Sequence, residues 1–229
     1  MSNGIDAWSY SRWNDYKQCP FRFKLKYINK MQTAGSPAMG RGNLVHKKAE
    51  DYILKTGTFA KGKKLPDEFQ HFKAELEHLR GIGAMAEMPW GFRRDWSWTG
   101  QPNWFGREVW FRMKADAAVT YEDKTGLVGD WKTGRKYPDH EEQGRIFGAV
   151  SLMRFPEWTE VDVRFWYTDQ KPGENEEQWT YTAKDGELIR KEWEKKVQPM
   201  FNDKRFAPTP NDKCKWCDFS KAKGGPCKF

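Results

Sequence analysis

Residues 107–134 read REVWFRMKADAAVTYEDKTGLVGDWKTG, and this stretch decides the fold. Over 107–121 the side chains alternate. Val109, Phe111, Met113, Ala115, Ala117 and Val119 fall on one face; Trp110, Arg112, Lys114 and Asp116 fall on the other. That two-residue period is the mark of a β-strand. Residues 122–126 have turn composition, and 127–133 return as the second strand of a hairpin. Residues two apart on a strand share a face, so Asp130 and Lys132 project together. A five-residue turn pairing Tyr121 with Leu127 sets Ala118 opposite Asp130 and Asp116 opposite Lys132. Asp116 is then diagonal to Asp130, roughly 7–8 Å away between backbone positions, so both carboxylates reach one cation.

Two carboxylates and an ammonium on one patch of sheet suit hydrolysis of a phosphodiester. Carboxylate oxygens hold Mg²⁺ or Mn²⁺, which take hard oxygen ligands and keep several waters. The cation neutralises charge on the phosphate and acidifies a bound water, and a lysine beside that water orients it or relays its proton. The same three residues also make an ordinary salt bridge across a hairpin, which contributes little. The rest of the chain has to decide between the two.

Upstream, residues 9–26 read as helix around Trp13, Tyr16 and Lys17, broken at Cys19-Pro20 because a residue before proline avoids the helical region. A Gly- and Pro-containing loop (35–42) leads to a helix over 43–55, with Asn43 as cap and Gly57 as stop. A third helix begins at Pro66, and its Phe69, Phe72, Leu76, Leu79 and Ile82 make one buried face. The aromatic segment 87–104 reads as strand and loop. Its tryptophans suit either core or stacking on unpaired bases, and core is the commoner use. Downstream come a helix over 139–155, strands over 161–168 and 178–182, and a helix over 185–201. This order predicts an α+β or mixed α/β domain. The expected organisation is one domain over 1–229, with a helical part (1–86), a core (87–203) and a cysteine-rich tail (204–229).

The chain has 229 residues, a formal charge of +8, and 13 Trp, 15 Phe and 8 Tyr to build a core. Excess Lys and Arg favours a polyanionic partner, because neutralising phosphates releases counterions. No apolar run is long enough to cross a bilayer, and the first residues lack the pattern of a secretory signal. A cytoplasmic setting is therefore expected, where four cysteines serve as ligands or free thiols rather than disulfides. Gly57 to Lys64 approaches a phosphate-binding P-loop but ends in Lys64 where Ser or Thr should hold Mg²⁺, and no apolar strand precedes it; no ATP use is expected.

Cys214-x-x-Cys217 presents two thiolates to one centre, and Gly224-Gly225-Pro226 turns the chain so that Cys227 reaches it. Cys19 is the thiol left to complete a set of four, which would tie the first helix to the tail and restrict the unfolded chain. Structural Zn²⁺ suits four cysteines as well as an iron–sulfur cluster does, although zinc sites usually show two CxxC pairs.

The ordered set of motifs resembles the PD-(D/E)XK nuclease superfamily. Asp116 followed by Asp130-Trp131-Lys132-Thr133-Gly134 is similar to the signature of RecB-like exonucleases. Gly42-Asn43-Leu44-Val45-His46 is similar to their GxxxH motif, and Gln143-Gly144-Arg145-Ile146-Phe147 to their QxxxY motif. Ser9-Tyr10-Ser11, Cys19-Pro20-Phe21 and Cys214-Lys215-Trp216-Cys217 resemble the cysteine frame of the CRISPR-associated and AddB-type members. The resemblance implies a restriction-endonuclease-like core with a mixed sheet flanked by helices. Asp116 and Asp130 would bind the metal with the Trp131 carbonyl, Lys132 would serve the water, His46 would be a further ligand, and Gln143 would position substrate or lysine. Glu87 matches an acidic residue ahead of the hairpin in phage relatives. The four cysteines would hold a [4Fe–4S] cluster. Ala115 stands where the motif has proline, and Phe147 where it has tyrosine, so any hydroxyl contact there is lost. The implied protein is a stand-alone, phage-type exonuclease acting on DNA ends, with single-stranded DNA as substrate. The alternatives are a structure-specific endonuclease and an inactive DNA-binding scaffold.

Overall fold

A computed structural model describes residues 4–33, 35–57, 65–100 and 104–229. Residues 58–64, most of the P-loop-like stretch, lie outside them. The first helix, α1 (Tyr10–Gln18), starts where Ser9 Oγ accepts from the Arg12 N–H and ends at Cys19. After it come a single turn, α2 (Pro20–Phe23), and a π-helical turn (Lys24–Ile28). The second long helix, α3 (Pro37–Ile53), begins six residues ahead of the expected Asn43 cap. Ser36 is the actual cap, and Pro37 takes the first helical position, where a missing N–H costs nothing. A 3₁₀ turn (Asp67–Phe72) and α4 (Lys73–Ile82) complete the helical first part.

Five strands follow in one sheet, ordered β1 (Met85–Phe92), β2 (Phe111–Thr120), β3 (Thr125–Lys132), β4 (Glu160–Tyr167) and β5 (Glu176–Thr182). Neighbours are antiparallel except β3 and β4, which run parallel. That parallel step needs a crossover, supplied by α5 (Asp139–Arg154). The last helix, α6 (Ala183–Asn202), is set by a reciprocal cap between Thr182 and Asp185. The expected mixed α/β fold with a flanked mixed sheet is the fold observed.

The sheet separates two apolar cores. On one side α1, α5 and α6 cover Phe111, Met113, Val128, Val163 and Phe165. On the other, α3, the 3₁₀ turn and α4 cover Ala117, Val119, Leu127, Trp131 and Trp166. Helix α5 reaches β5 closely because Gly144 and Gly148 face it. A Cβ at Gly148 would come within 2.3 Å of the Tyr181 ring, and one at Gly144 within 2.8 Å of Trp179. The tryptophan-rich segment is mostly core, as its density suggested: Trp90, Trp96 and Trp110 are buried.

Two expectations for the hairpin are corrected. The strands pair Thr120 with Gly126 and Ala117 with Gly129, two residues tighter than the expected register. The cause is a short loop. Tyr121 N–H donates to Thr125 O at 2.9 Å, and Lys124 adopts φ +64. This is the three-residue hairpin with a left-handed last position. An even slip leaves every side chain on its face, so Asp116 faces Asp130 rather than lying diagonal to it. The single apolar face of β2 is the second correction. Phe111, Met113 and Ala115 enter one core, but Ala117 and Val119 enter the other. Alternation therefore inverts at Asp116. It inverts in β1 as well, between Ala86 and Met88, where Glu87 sits at φ +54.

Candidate active site and cysteine centre

The inversions fall where the sheet forks. Pairing of β1 with β2 continues to Phe92 and Phe111, and pairing of β3 with β4 continues to Lys132 and Tyr167. Pairing between β2 and β3 stops at Ala117 and Gly129. Asp116 and Asp130 are the next residues on each strand, so they stand at the apex of the opening. The Trp131 N–H, left without a strand carbonyl, donates to Asp116 Oδ2 at 2.6 Å. The Trp131 indole is buried on the far face between Phe69, Phe72 and Trp166, which fixes that peptide.

Three elements bring acids and a histidine to this point. His46, from α3, lies 2.9 Å from Asp116 Oδ1 and 3.5 Å from Glu87 Oε1 through the same ring nitrogen. The register on both sides of Glu87 sets it directly opposite Asp116. His46, Glu87 and Asp116 each offer a ligand atom within 4.8 Å of the others. Glu87 also contacts the Lys114 ammonium. The donor set is one that a hard divalent cation takes: carboxylates with an imidazole, one acid buried and the other two groups partly open to solvent.

Burial makes the cluster electrostatically demanding. Asp116 and Asp130 are only 4% and 6% exposed. Burial, and then the charge of Asp130, push the Asp116 carboxyl above the usual carboxylate range. Burial opposes charging of His46, but its hydrogen bond to Asp116 and the charges of Asp116 and Asp130 outweigh that and raise its pKa. Glu87 Oε1 and Asp130 Oδ2 are buried without a hydrogen bond. Buried acceptors of this kind are costly unless something compensates them. Lys132 Nζ approaches Asp130 Oδ2 to 2.7 Å, an ion contact lacking hydrogen-bond alignment.

Lys132 is held on the other side of the fork. Its ammonium donates to Gln143 Oε1 at 2.8 Å and lies 4.5 Å from the centre of the Phe165 ring. Phe147, in the motif's tyrosine position, packs edge-on against Phe165. Its ring therefore supports the surface under the lysine and needs no hydroxyl there. The loop after Lys132 is clamped as well: Asp169 accepts from the Gly134 N–H at 2.7 Å and from Arg41 at 2.7 Å. That clamp joins α3, which carries His46, to the strand that carries Lys132.

Sequence reasoning assigned no role to His140. The structure sets it in the same cavity as Asp130, Lys132 and Gln143. Its Nδ1 is 2.8 Å from the Tyr167 hydroxyl, which donates its one proton to Glu177. The Tyr167 oxygen must then accept from His140 Nδ1–H, leaving Nε2 as an acceptor. Burial and the nearby Lys132 charge lower the His140 pKa, which favours this neutral form. The signal was present in the sequence: His140 precedes Gln143 by one helical turn.

All four cysteines line that same cavity, each as a half-buried free thiol. Asn211 fastens the tail to α1 by donating through Nδ2 to Gln18 O at 3.1 Å. Backbone N–H groups of Thr209 and Asn211 point at the sulfurs of Cys19 and Cys214, at 3.5 and 3.3 Å. An isolated bridge joins Ser220 to Cys227. Among the described residues, however, no three cysteine sulfurs lie within 4.8 Å of one another. A closed tetrahedral zinc site, with Zn–S near ~2.3 Å, needs tighter convergence than that.

Comparison with known proteins adds one sequence match. The profile of the PD-(D/E)XK nuclease superfamily covers residues 7–222. No curated protein sequence matches the chain. Among solved structures, a putative exonuclease from Eubacterium rectale is similar over 96% of this chain and 88% of its own, with a TM-score of 0.50 at 12% identity. SSO0001 is similar over 98% and 88%, at 0.49 and 17%. An alkaline exonuclease from Laribacter hongkongensis aligns over 86% and 92%, at 0.37 and 10%. At such identities the first of these likenesses speaks for the fold alone. No helix among the described residues is long and apolar enough to cross a membrane.

Proposed function

The chain belongs to the PD-(D/E)XK nuclease superfamily, and from that premise we propose that it is a Mg²⁺- or Mn²⁺-dependent deoxyribonuclease that hydrolyses DNA from its ends, with single-stranded DNA as substrate. The observation that carries this reading is the fork. It gathers His46, Glu87 and Asp116 into one cluster and sets Asp130 across the fork, in contact with a lysine that Gln143 and Phe165 hold in place. Asp116, Asp130, Glu87 and His46 would hold the cation, with the Trp131 carbonyl as a further ligand. When bound, the cation neutralises phosphate charge and makes a water more acidic. Lys132 then orients the attacking water at the open side of the fork. Gln143 accepts from the ammonium and holds it in place beside Asp130. An inactive scaffold would have no use for the buried, unbonded oxygens of Glu87 and Asp130.

The finer assignments extend the same reading. The chain acts as one nuclease domain, with residues 1–86 and 204–229 packed around a core over 87–203, in the manner of RecB-like and AddB-type enzymes. Cys19, Cys214, Cys217 and Cys227 hold a [4Fe–4S] cluster. What supports this reading is that all four line one cavity. Iron and sulfide analysis after anaerobic purification tests it, and stoichiometric zinc in a colourless protein would overturn it.

The activity test uses an end-labelled single-stranded oligonucleotide beside covalently closed circular DNA, in Mn²⁺ and in EDTA. Metal-dependent loss of the linear strand alone, abolished by Lys132→Ala, is the expected result. Cleavage of the circle would make the enzyme an endonuclease. No cleavage of either would refute the nuclease reading.

A further inference from the structure

One cavity of about 880 Å³ runs from Asp130, Lys132 and Gln143 to the cysteine-rich tail. Its lining carries six Lys and Arg side chains against three Asp, so its charge complements a polyanion beyond the fork itself. Among the described residues, Arg112, Arg135 and Lys213 have no ion-pair partner, and Arg112 Nε is buried without a hydrogen bond. Two tryptophans share the cavity, Trp104 from the β1–β2 connection and Trp216 between Cys214 and Cys217. Trp216 is 65% exposed, unusual for the largest apolar side chain in a protein that buries most of its tryptophans.

Trp216 is exposed but not loose. It ends a 3₁₀ turn (Asp212–Trp216) capped by Asn211, and Asn211 also bonds to Gln18 of α1. Lys223 Nζ donates to the Trp216 carbonyl at 2.8 Å, and Lys215 Nζ lies 4.1 Å from the indole centre. A flat ring fixed at its backbone, flanked by cations and open to a charged groove, has the makings of a base-stacking platform. Inside a duplex each base is stacked on both faces, so only the terminal pairs are open to such a platform.

We propose that Trp216 stacks on an unpaired base of the substrate strand, while Arg112, Arg135 and Lys213 follow its phosphates from the platform to the fork. This makes the cavity a site for single-stranded DNA and Trp216 a determinant of strand preference. The inference rests on the nuclease reading of the fork and adds the path by which the strand reaches it.

The test measures binding by fluorescence anisotropy of labelled oligo(dT) and of a blunt duplex of equal length, with Ca²⁺ present. The full chain carries Lys132→Ala so that the probes survive. Trp216→Ala should weaken oligo(dT) binding roughly ten-fold, Trp216→Phe should restore most of it, and duplex binding should change little. Lys213→Gln, which keeps the backbone N–H that Asn211 caps, should lower the salt slope by about 0.7, as expected for one lost phosphate contact on a single strand. Unchanged oligo(dT) binding by Trp216→Ala would overturn the proposal, and so would equal losses for strand and duplex. If Trp216→Ala fails to fold, an unchanged salt slope for Lys213→Gln overturns it instead. Wild-type cleavage is scored separately. Cleavage with an indifferent Trp216 sinks the groove alone, and Trp216-dependent binding without cleavage sinks the nuclease reading alone.

Discussion

The β2–β3 hairpin has two halves of opposite character. Toward its loop, Ala117–Thr120 pair regularly with Gly126–Gly129, and apolar side chains fill both cores. Four residues farther along, the same strands part, Glu87 is forced to φ +54, and carboxylate oxygens lie buried without hydrogen bonds. The first half is what a sequence does when stability is the only demand. The second concentrates buried carboxylates that face one another, which costs stability and gathers the groups proposed to hold a cation. Substitutions should therefore act oppositely in the two halves.

Asp116→Asn should produce the largest contrast. Metal-dependent hydrolysis should fall by about 10²–10⁴-fold, the range typical of losing a group that acts directly in the chemistry. The melting temperature without metal should hold or rise, because a buried charge facing Asp130 is gone. A lower melting temperature measured in EDTA would erase the contrast. Next is Trp131→Ala, which removes the indole packed against Phe69, Phe72 and Trp166. Urea unfolding should show a loss of about 3–5 kcal/mol, and a loss under 1 kcal/mol would mean the site's floor does not depend on this ring.

A smaller effect separates backbone from carboxylate at Glu87. Glu87→Gly relieves the left-handed backbone, and unfolding in EDTA should show a gain of about 1 kcal/mol. Glu87→Gln keeps the strain. Both should weaken Mn²⁺ binding by calorimetry, and equal stabilities for the two would dismiss the strain. The smallest effect belongs to the regular half. Lys124→Gly, at φ +64 in the hairpin loop, should add about 0.5–1 kcal/mol with hydrolysis unchanged. A drop in activity there would show that the two halves are coupled.

Much of this was legible in the chain. Alternation over 107–121, the spacing of Asp130 and Lys132, and the helical steps of Phe69 to Leu79 reflect local geometry, and local geometry is written locally. The departures arise where a local pattern allows two readings. Asn43 looked like a cap because Gly40 and Gly42 suggested a loop, although Ser36-Pro37 already carries a helix-start pattern. The continuous apolar face of β2 ignored the bend at Asp116, because alanines on both sides suit either core.

The sequence by itself determined the element order, the hairpin, which residues share a strand face, and the set of acids, lysine and cysteines available for chemistry. It did so because the periods of strand and helix are properties of the backbone. Only the tertiary structure decided that Asp116 faces Asp130 directly, that β2 and β3 part at that pair, and that His46 and Glu87 close on it from α3 and β1. It also decided that His140 shares the cavity of Lys132 and that Trp216 stands in the groove leading there. Those relations depend on loop length, on where pairing stops, and on which helix crosses which strand. They are set by competition among distant contacts, and no local pattern records the outcome.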